Sequence, residues 1–254
     1  GVLGVLLAAH VAVGLAVALT LLLPGMWDVA AGLVLGLLLK PLLAWRMLHD
    51  EVARVEAALA VSLDAGRAQL AQIVSRDVTA LTETQVRESA IESLAENLND
   101  SVVAPVFWFV LMGLPGAAAY RFANTADAMW GYRGLRGGRY WEWAGKWAAR
   151  ADDVLSWLPA RITAVLLLAT GVRAWPLLRR LRTEARRTPS PNSGWPMAAM
   201  ALRLGVVLAK PGVYTLNPGG RAAQAADTAG ALYWGSKAVL ALVLFALAAI
   251  IFVA

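Results

Sequence analysis

Cysteine is missing altogether, and histidine occurs only as His10 and His49 among the 254 residues. The first absence excludes disulfides, thiol nucleophiles and thiolate metal sites, and the second excludes a histidine-rich zinc centre. A metal would have to be held by oxygen ligands, which favours magnesium. Charge is also scarce. Asp, Glu, Lys and Arg make up 16% of the chain and hydrophobic residues 59%, where soluble domains average about 25% and about 45–50%. The expectation is an integral membrane protein. The patterns G-x-x-x-x-G-K-[ST], G-x-G-x-x-G and G-x-S-x-G are all absent, so no standard phosphate loop, dinucleotide fingerprint or nucleophile elbow is present.

The net charge of +6 raises the question of nucleic acid, but no basic stripe interleaved with aromatics lies on a soluble segment, and no nucleic-acid partner is expected. Lys and Arg collect in the cytoplasmic loops of membrane proteins. Trp is abundant, and Trp130, Trp141, Trp143, Trp147 and Trp157 are placed near one membrane boundary, where indoles settle at headgroup level.

The fold class expected is all-α: a polytopic helical membrane bundle, with broken or re-entrant helices and polar helical segments on one side. A single membrane domain is read over residues 1–254. Within it, 1–48 supply two spanning helices, the second interrupted at Lys40-Pro41, and His10 in the first is a packing residue. Residues 49–101 are polar, amphipathic helices. Val52, Val55, Leu59 and Leu63 recur at helical spacing, Asp64-Ala-Gly66 is read as a break, and Thr82-Glu-Thr-Gln85 as a capping box. Residues 102–175 are broken apolar segments with a motif loop: Pro105 and Gly113-Leu-Pro115-Gly116 cut the first, and Pro159 and Arg161 interrupt the second. A cytoplasmic loop and short helix follow over 176–231, and 232–254 form the last span.

The polar residues gather at the ends of these segments. The helix before the broken segment buries Val86, Ala90, Ile91, Leu94 and Leu98. Its other face carries Glu88, Glu92 and Glu96, with Asp100 one further step of four along. Side chains at that spacing stack in one row and repel, so cations or a metal should offset them. Further clusters are Asn124/Thr125/Asp127, Asp152/Asp153 with Arg161, and Ser190/Asn192/Ser193. Oxygen-rich groups at helix ends suit magnesium bound together with the phosphates of a nucleotide. The loop Gly131-Tyr-Arg-Gly134-Leu-Arg-Gly137-Gly138-Arg139 offers Arg133, Arg136 and Arg139, read as a positively charged membrane-side loop with phosphate binding as the alternative.

The ordered motifs Val74-Ser-Arg76-Asp77, Glu92-Ser-Leu-Ala-Glu96-Asn97-x-x-Asp100, Ala104-Pro105, Gly113-Leu-Pro-Gly116, Tyr120-x-x-x-Asn124-Thr-x-Asp127-x-Met129-x-Gly131-Tyr132, Ala149-Arg-x-Asp152-Asp153, Pro159-Ala-Arg161-x-Thr163 and Ser190-Pro-Asn-x-Gly-Trp195-Pro-Met-Ala-Ala-Met-Ala201 resemble those of the CbiB or CobD membrane family, adenosylcobinamide-phosphate synthase. The resemblance runs from about Leu48 to Tyr214. It departs at Ala128, where a Ser is usual, and at Ser156, where an Asn is usual. The family's opening segment with Gly-Asp-Pro and His-Pro motifs has no counterpart, which implies a shortened or divergent member.

The resemblance implies an ATP- and magnesium-dependent amide ligase that joins aminopropanol phosphate to the free carboxylate of adenosylcobyric acid. Carboxylates would hold the metal and arginines the phosphates, with no covalent protein nucleophile. Glu92, Glu96 and Asp100 are the expected magnesium ligands; Glu96, Asp100, Asp127, Asp153 and Arg161 the expected catalytic groups; Arg76, Asn97, Asn124 and Asn192 the expected cofactor-binding groups. Asp153 and Arg161 need not pair, since Pro159 lies between them. Expected partners are the corrinoid and aminopropanol phosphate substrates, the lipid bilayer, and either a second copy or other corrinoid-pathway membrane enzymes. The expected location is the inner membrane, multi-pass, with the site facing the cytoplasm. A transporter or a non-catalytic corrinoid-binding scaffold are the other classes the residues allow.

Overall fold

A computed structural model describes residues 11, 13–18, 21, 28–131, 134–136, 138–169 and 174–253. The first expected span, His10, Tyr132, Arg133 and Arg173 therefore fall wholly or largely outside the described residues, as do the side chains of Arg136 and Arg139. The described chain is mostly helical, with two short hairpins. Three helical stretches, Gly32–Leu59, Glu83–Trp130 and Ala225–Ala249, are long and apolar enough to cross a membrane, and Trp157–Ala169 is a shorter apolar helix. The protein is a helical membrane protein. Leu33, Leu37, Leu111, Met112, Leu240 and Phe245 are all more than half exposed, as lipid-facing side chains would be.

The chain divides into two compact units, one of residues 1–44, 100–156 and 246–254, the other of residues 45–99 and 157–245. The first contains α1 (Asp28–Leu39), which gives way to a 3₁₀ turn at Lys40–Leu42. Pro41 lacks the N–H that would continue the α-helical ladder. Helix α5 (Ala104–Trp130) is bent where Gly113 adopts φ +65°, two residues before Pro115. Only glycine enters that region without strain, so Gly113 makes the expected break. The helix resumes and runs to Trp130, so Asn124 and Asp127 lie on a helix rather than in a motif loop. The hairpin of β1 (Leu135–Arg136) and β2 (Arg139–Tyr140) then turns the chain into α6 (Glu142–Leu155), which packs along α5. Trp130 is buried with Ala126 and Ala148 against Trp141. It is a core residue and not part of an interfacial belt, whereas Trp143 and Trp147 are exposed.

The second unit is built around α4 (Glu83–Leu98). The expected capping box is present: Thr82 Oγ1 accepts from the Gln85 N–H and Gln85 Oε1 accepts from the Thr82 N–H. Helices α2 (Trp45–Leu59), α3 (Leu63–Leu70) and α9 (Gly194–Leu204) and strand β3 (Leu208–Lys210) pack on it. Leu48, Val52, Val55 and Leu59 form the buried stripe of α2, as their spacing predicts. The break comes earlier than Asp64-Ala-Gly66, at Ser62, whose hydroxyl caps the Ala65 N–H. Gly66 lies inside α3, packed so closely on Leu59 that a Cβ would meet its side chain.

Small residues on α4, namely Ser89, Ala90, Ser93 and Ala95, allow neighbours to cover it on nearly all sides, so Glu88 and Glu92 are buried too. The acidic row is no solvated face. At Asn99–Val103 the winding changes to a π turn, so the α-helical step of four ends at Glu96. The remaining elements are α7 (Trp157–Ala169), α8 (Ala174–Ala185), β4 (Tyr214–Leu216), paired antiparallel with β3, and α10 (Ala225–Val253). Residues 176–231 are thus more ordered than a loop with one short helix.

Candidate active site

Polar assemblies form in each unit, and they gather different subsets of the residues singled out by sequence. In the first unit, α5 beyond its bend carries Tyr120, Arg121, Asn124 and Asp127 at helical spacing, and α6 brings Asp152 and Asp153. Asn124 Nδ2 donates to Asp152 Oδ1 at 3.1 Å, and the Tyr120 and Ser156 hydroxyls lie 3.0 Å apart. Arg121 Nη1 donates to the Asp100 carbonyl at 3.1 Å and to Asn124 Oδ1 at 3.3 Å. The guanidinium thus fixes the amide that in turn fixes Asp152. This assembly joins Asn124, Asp127, Asp152 and Asp153, with the Asp100 backbone held at its edge.

Its electrostatics are unfavourable for anions. Asp127 lies in the last turn of α5, and Asp152 and Asp153 in the last turn of α6. A helix C-terminus carries roughly half a negative charge, so acids there are destabilised. Burial, with the charges of Asp127 and Asp153 added, pushes Asp152 up to about 6 despite its hydrogen bond from Asn124. Burial also raises Asp153. Like charges crowded at two negative helix ends are relieved by a cation, and the carboxylate and amide oxygens are the hard donors magnesium takes. Among the described residues no three Asp, Glu or His side chains converge closely enough to enclose a metal alone. One or two carboxylates completed by phosphate oxygens and water is the usual magnesium arrangement, and these residues fit it.

A cavity of about 440 Å³ adjoins this cluster, with Gly131, Glu142, Lys146, Arg150 and Asp153 in its wall. Gly131 is required there. Its N–H donates to the Asp127 carbonyl at 2.6 Å, and any Cβ would collide with Asp127 Oδ1. Glu142 is engaged by the Gly134 N–H at 3.1 Å. Lys146 and Arg150 sit one turn apart on α6, available to an anion beside the carboxylates.

In the second unit Arg76 Nη2 donates to Glu92 Oε2 at 2.9 Å, and Glu92 is only 1% exposed. The expected magnesium ligand Glu92 is therefore held by an arginine. Arg76, Ser93, Glu96, Asn97 and Lys210 line a polar cavity of about 250 Å³. Asn97 Nδ2 donates back to the Ser93 carbonyl at 2.9 Å. Tyr214 stands opposite Lys210 in the β3–β4 register, and burial with the neighbouring Glu92 charge raises its phenol above the ordinary range.

Arg161 lies in the second unit, and Asp152 and Asp153 lie in the first. Its guanidinium lies over the indoles of Trp157 and Trp195, 4.4 and 4.6 Å from their centroids. Nη1 donates to Asn192 Oδ1 at 2.8 Å and Nη2 to the Pro191 carbonyl at 3.2 Å. Arg161 and Asn192 are thus joined to each other. Pro159 sits in the first turn of α7, where its missing N–H costs nothing, and the helical break is at Ser156.

A family model described as CobD/Cbib protein matches residues 1–234. The chain belongs to the CobD/Cbib family. A protein of Methanothermobacter thermautotrophicus named "Probable cobalamin biosynthesis protein CobD" is 44% identical over 189 residues, 73% of this chain and 62% of its own length. One of the same name from Pyrococcus abyssi is 47% identical over 177 residues, 70% of this chain and 57% of its own length. "Cobalamin biosynthesis protein CobD" of Rhodobacter capsulatus is 43% identical over 217 residues, 84% of this chain and 67% of its own length. The chain thus spans less than two thirds of the first two relatives. No solved structure matches it.

Arg121, Lys146 and Lys210 belong to these assemblies and were not singled out from sequence. Glu142, Lys146, Arg150 and Asp153 recur at steps of four, four and three, a helical row that would have exposed Lys146. Arg121 was legible as a cation inside an apolar segment. Lys210 depends on a hairpin, which no local pattern announces.

Proposed function

We propose that this CobD/Cbib protein is an ATP-dependent amide ligase of cobalamin biosynthesis, joining (R)-1-amino-2-propanol phosphate, or aminopropanol, to adenosylcobyric acid to give adenosylcobinamide phosphate. The names of its relatives support the pathway. The observation that carries the chemistry is the Asp127, Asp152 and Asp153 cluster, at two negative helix ends beside a cavity with Lys146 and Arg150 in its wall.

A carboxylate is a poor acyl donor; ATP bound with magnesium would transfer its terminal phosphoryl group to that carboxylate, releasing ADP and leaving a mixed anhydride. Asp127, Asp152 and Asp153 would hold the cation, with Asn124 and Arg121 fixing their geometry. Lys146 and Arg150 would neutralise phosphate oxygens, the positioning and charge compensation on which phosphoryl transfer depends. Attack by the amine nitrogen on the acyl carbon would then release phosphate and form the amide, the ammonium having first given up its proton to water. Arg76, Glu96, Asn97 and Lys210 line the polar cavity of the second unit, suited to the amide-rich, charged periphery of a corrinoid. The location proposed is the inner membrane with the site facing the cytoplasm, where ATP is available. Cysteines placed at Ser62, Ala144 and Ser190 in this cysteine-free chain should all react with an impermeant reagent from that side; reaction of position 144 from the other side refutes the orientation.

The deciding experiment is product formation by the purified protein in detergent, followed by mass spectrometry with ATP and magnesium present or omitted. Product that appears only with ATP, with matching ADP, supports the ligase. Corrinoid binding or vesicle uptake with no ATP consumed supports a transporter or scaffold instead.

A further inference from the structure

A cavity of about 750 Å³ in the second unit has Trp157, Arg161, Arg182, Arg186, Ser190 and Trp195 in its wall. No acid lines it. The single acid of the neighbouring basic block, Glu184, is engaged elsewhere: its Oε2 takes Arg187 Nε and the Asn217 N–H, each at 2.8 Å. None of Arg161, Arg182 and Arg186 forms an ion pair among the described residues. Arg182 and Arg186 are four residues apart, a spacing at which like charges repel.

Arg161 is rigidly presented. Two indoles lie against it, and Nη1 and Nη2 each already donate to the chain, leaving Nε and one Nη2 hydrogen for a ligand. Ser190 adds a hydroxyl donor. Its Oγ accepts from the Asn192 and Ser193 N–H groups at 3.2 and 3.1 Å, so its own hydrogen is free to donate outward.

We propose that this cavity is a binding site for a phosphate group, with Arg161 as its fixed wall, Arg182 and Arg186 as its exposed charges and Ser190 as a hydroxyl donor. The forked donors of arginine match the oxygens of a tetrahedral oxyanion, and the volume admits the organic part of a phosphorylated compound. Two sources share this chemistry. One is a soluble phosphorylated solute. The other is a phospholipid headgroup, since Trp157 and Trp175 stand 55% and 67% exposed on the same helices, α7 and α8, as interfacial indoles do. The site is independent of the ligase reading, and its test needs no turnover.

The full chain in a neutral detergent is titrated calorimetrically with inorganic pyrophosphate. In parallel it is released from nanodiscs of phosphatidylglycerol or phosphatidylcholine and its retained lipid is read by native mass spectrometry. The Arg182→Gln/Arg186→Gln variant alters exposed side chains and should melt as the wild type does; Arg182→Gln alone serves if it does not. Saturable pyrophosphate binding that weakens roughly tenfold or more in the variant supports a soluble ligand. Phosphatidylglycerol retained by the wild type and lost by the variant supports a headgroup. Equal behaviour of wild type and variant in both arms, or no anion bound in either, overturns the proposal.

Discussion

Asp152→Asn should make the metal-free protein more stable at neutral pH while removing what the cluster is for. The folded protein holds Asp152 at about 6 where an ordinary Asp has 3.8. A carboxyl with a raised folded-state value binds its proton more tightly when folded, so its contribution favours folding below about 4 and is lost as pH rises through about 6. Moving from 3.8 to about 6 corresponds to roughly 3 kcal/mol at neutral pH. Asparagine is nearly isosteric, uncharged and still able to accept from Asn124 Nδ2. In a chain of this size 1 kcal/mol moves the melting temperature by roughly 2–4 °C, so a rise of about 5 °C or more is expected at pH 7.5, shrinking at pH 5. The measurement is intrinsic-fluorescence melting in detergent at both pH values, with and without magnesium and ATP. These ligands should raise the wild-type melting point and leave the variant unmoved. A variant that melts at or below the wild type at pH 7.5, or a difference that ignores pH, refutes the electrostatic reasoning.

Three other outcomes follow from named contacts. Arg76→Ala takes the ion-pair partner from buried Glu92 and should cost about 3–5 kcal/mol, whereas Arg76→Met with Glu92→Leu should melt far closer to the wild type; equal losses in the two refute the ion pair as the cause. Gly131→Ala forces Asp127 off its position and should lower product formation roughly tenfold or more with the melting point little changed, because small displacements of positioned groups are costly; full activity would show that Asp127 need not sit there. Arg161→Lys keeps the charge but loses planar stacking on Trp157 and Trp195 and should destabilise by about 1–2 kcal/mol, read as a lower melting point; an unchanged one removes the ring contacts from the account.

Much of the architecture was legible because membrane helices announce themselves through length and apolarity. The Gly113-Leu-Pro-Gly116 break, the Lys40-Pro41 interruption and the Thr82–Gln85 capping box rest on local backbone chemistry, and each is present in the fold. The acidic row on α4 was legible as a row but not as buried, because Ser89, Ser93 and Ala95 look neutral in sequence and act only by letting neighbours approach. The row's cationic partner Arg76 lies sixteen residues before Glu92, beyond the reach of any helical period. Trp130 was misplaced for the same reason: abundance at a boundary suggests a belt, and only packing against Ala126, Ala148 and Trp141 reveals a core position. In the first unit, Asn124, Asp127, Asp152 and Asp153 were named as separate clusters, and the hairpin return of α6 onto α5 is what brings them together.

The most direct test of ATP-dependent ligation follows an oxygen atom. Adenosylcobyric acid with its free carboxylate labelled by heavy oxygen is incubated with the purified protein, aminopropanol phosphate, ATP and magnesium, and the released inorganic phosphate is analysed by mass spectrometry. Carboxylate phosphorylation predicts one heavy oxygen in each phosphate released with product, and the Asp152→Asn variant should release neither. Amide product accompanied by unlabelled phosphate, or formed without ATP, contradicts the account.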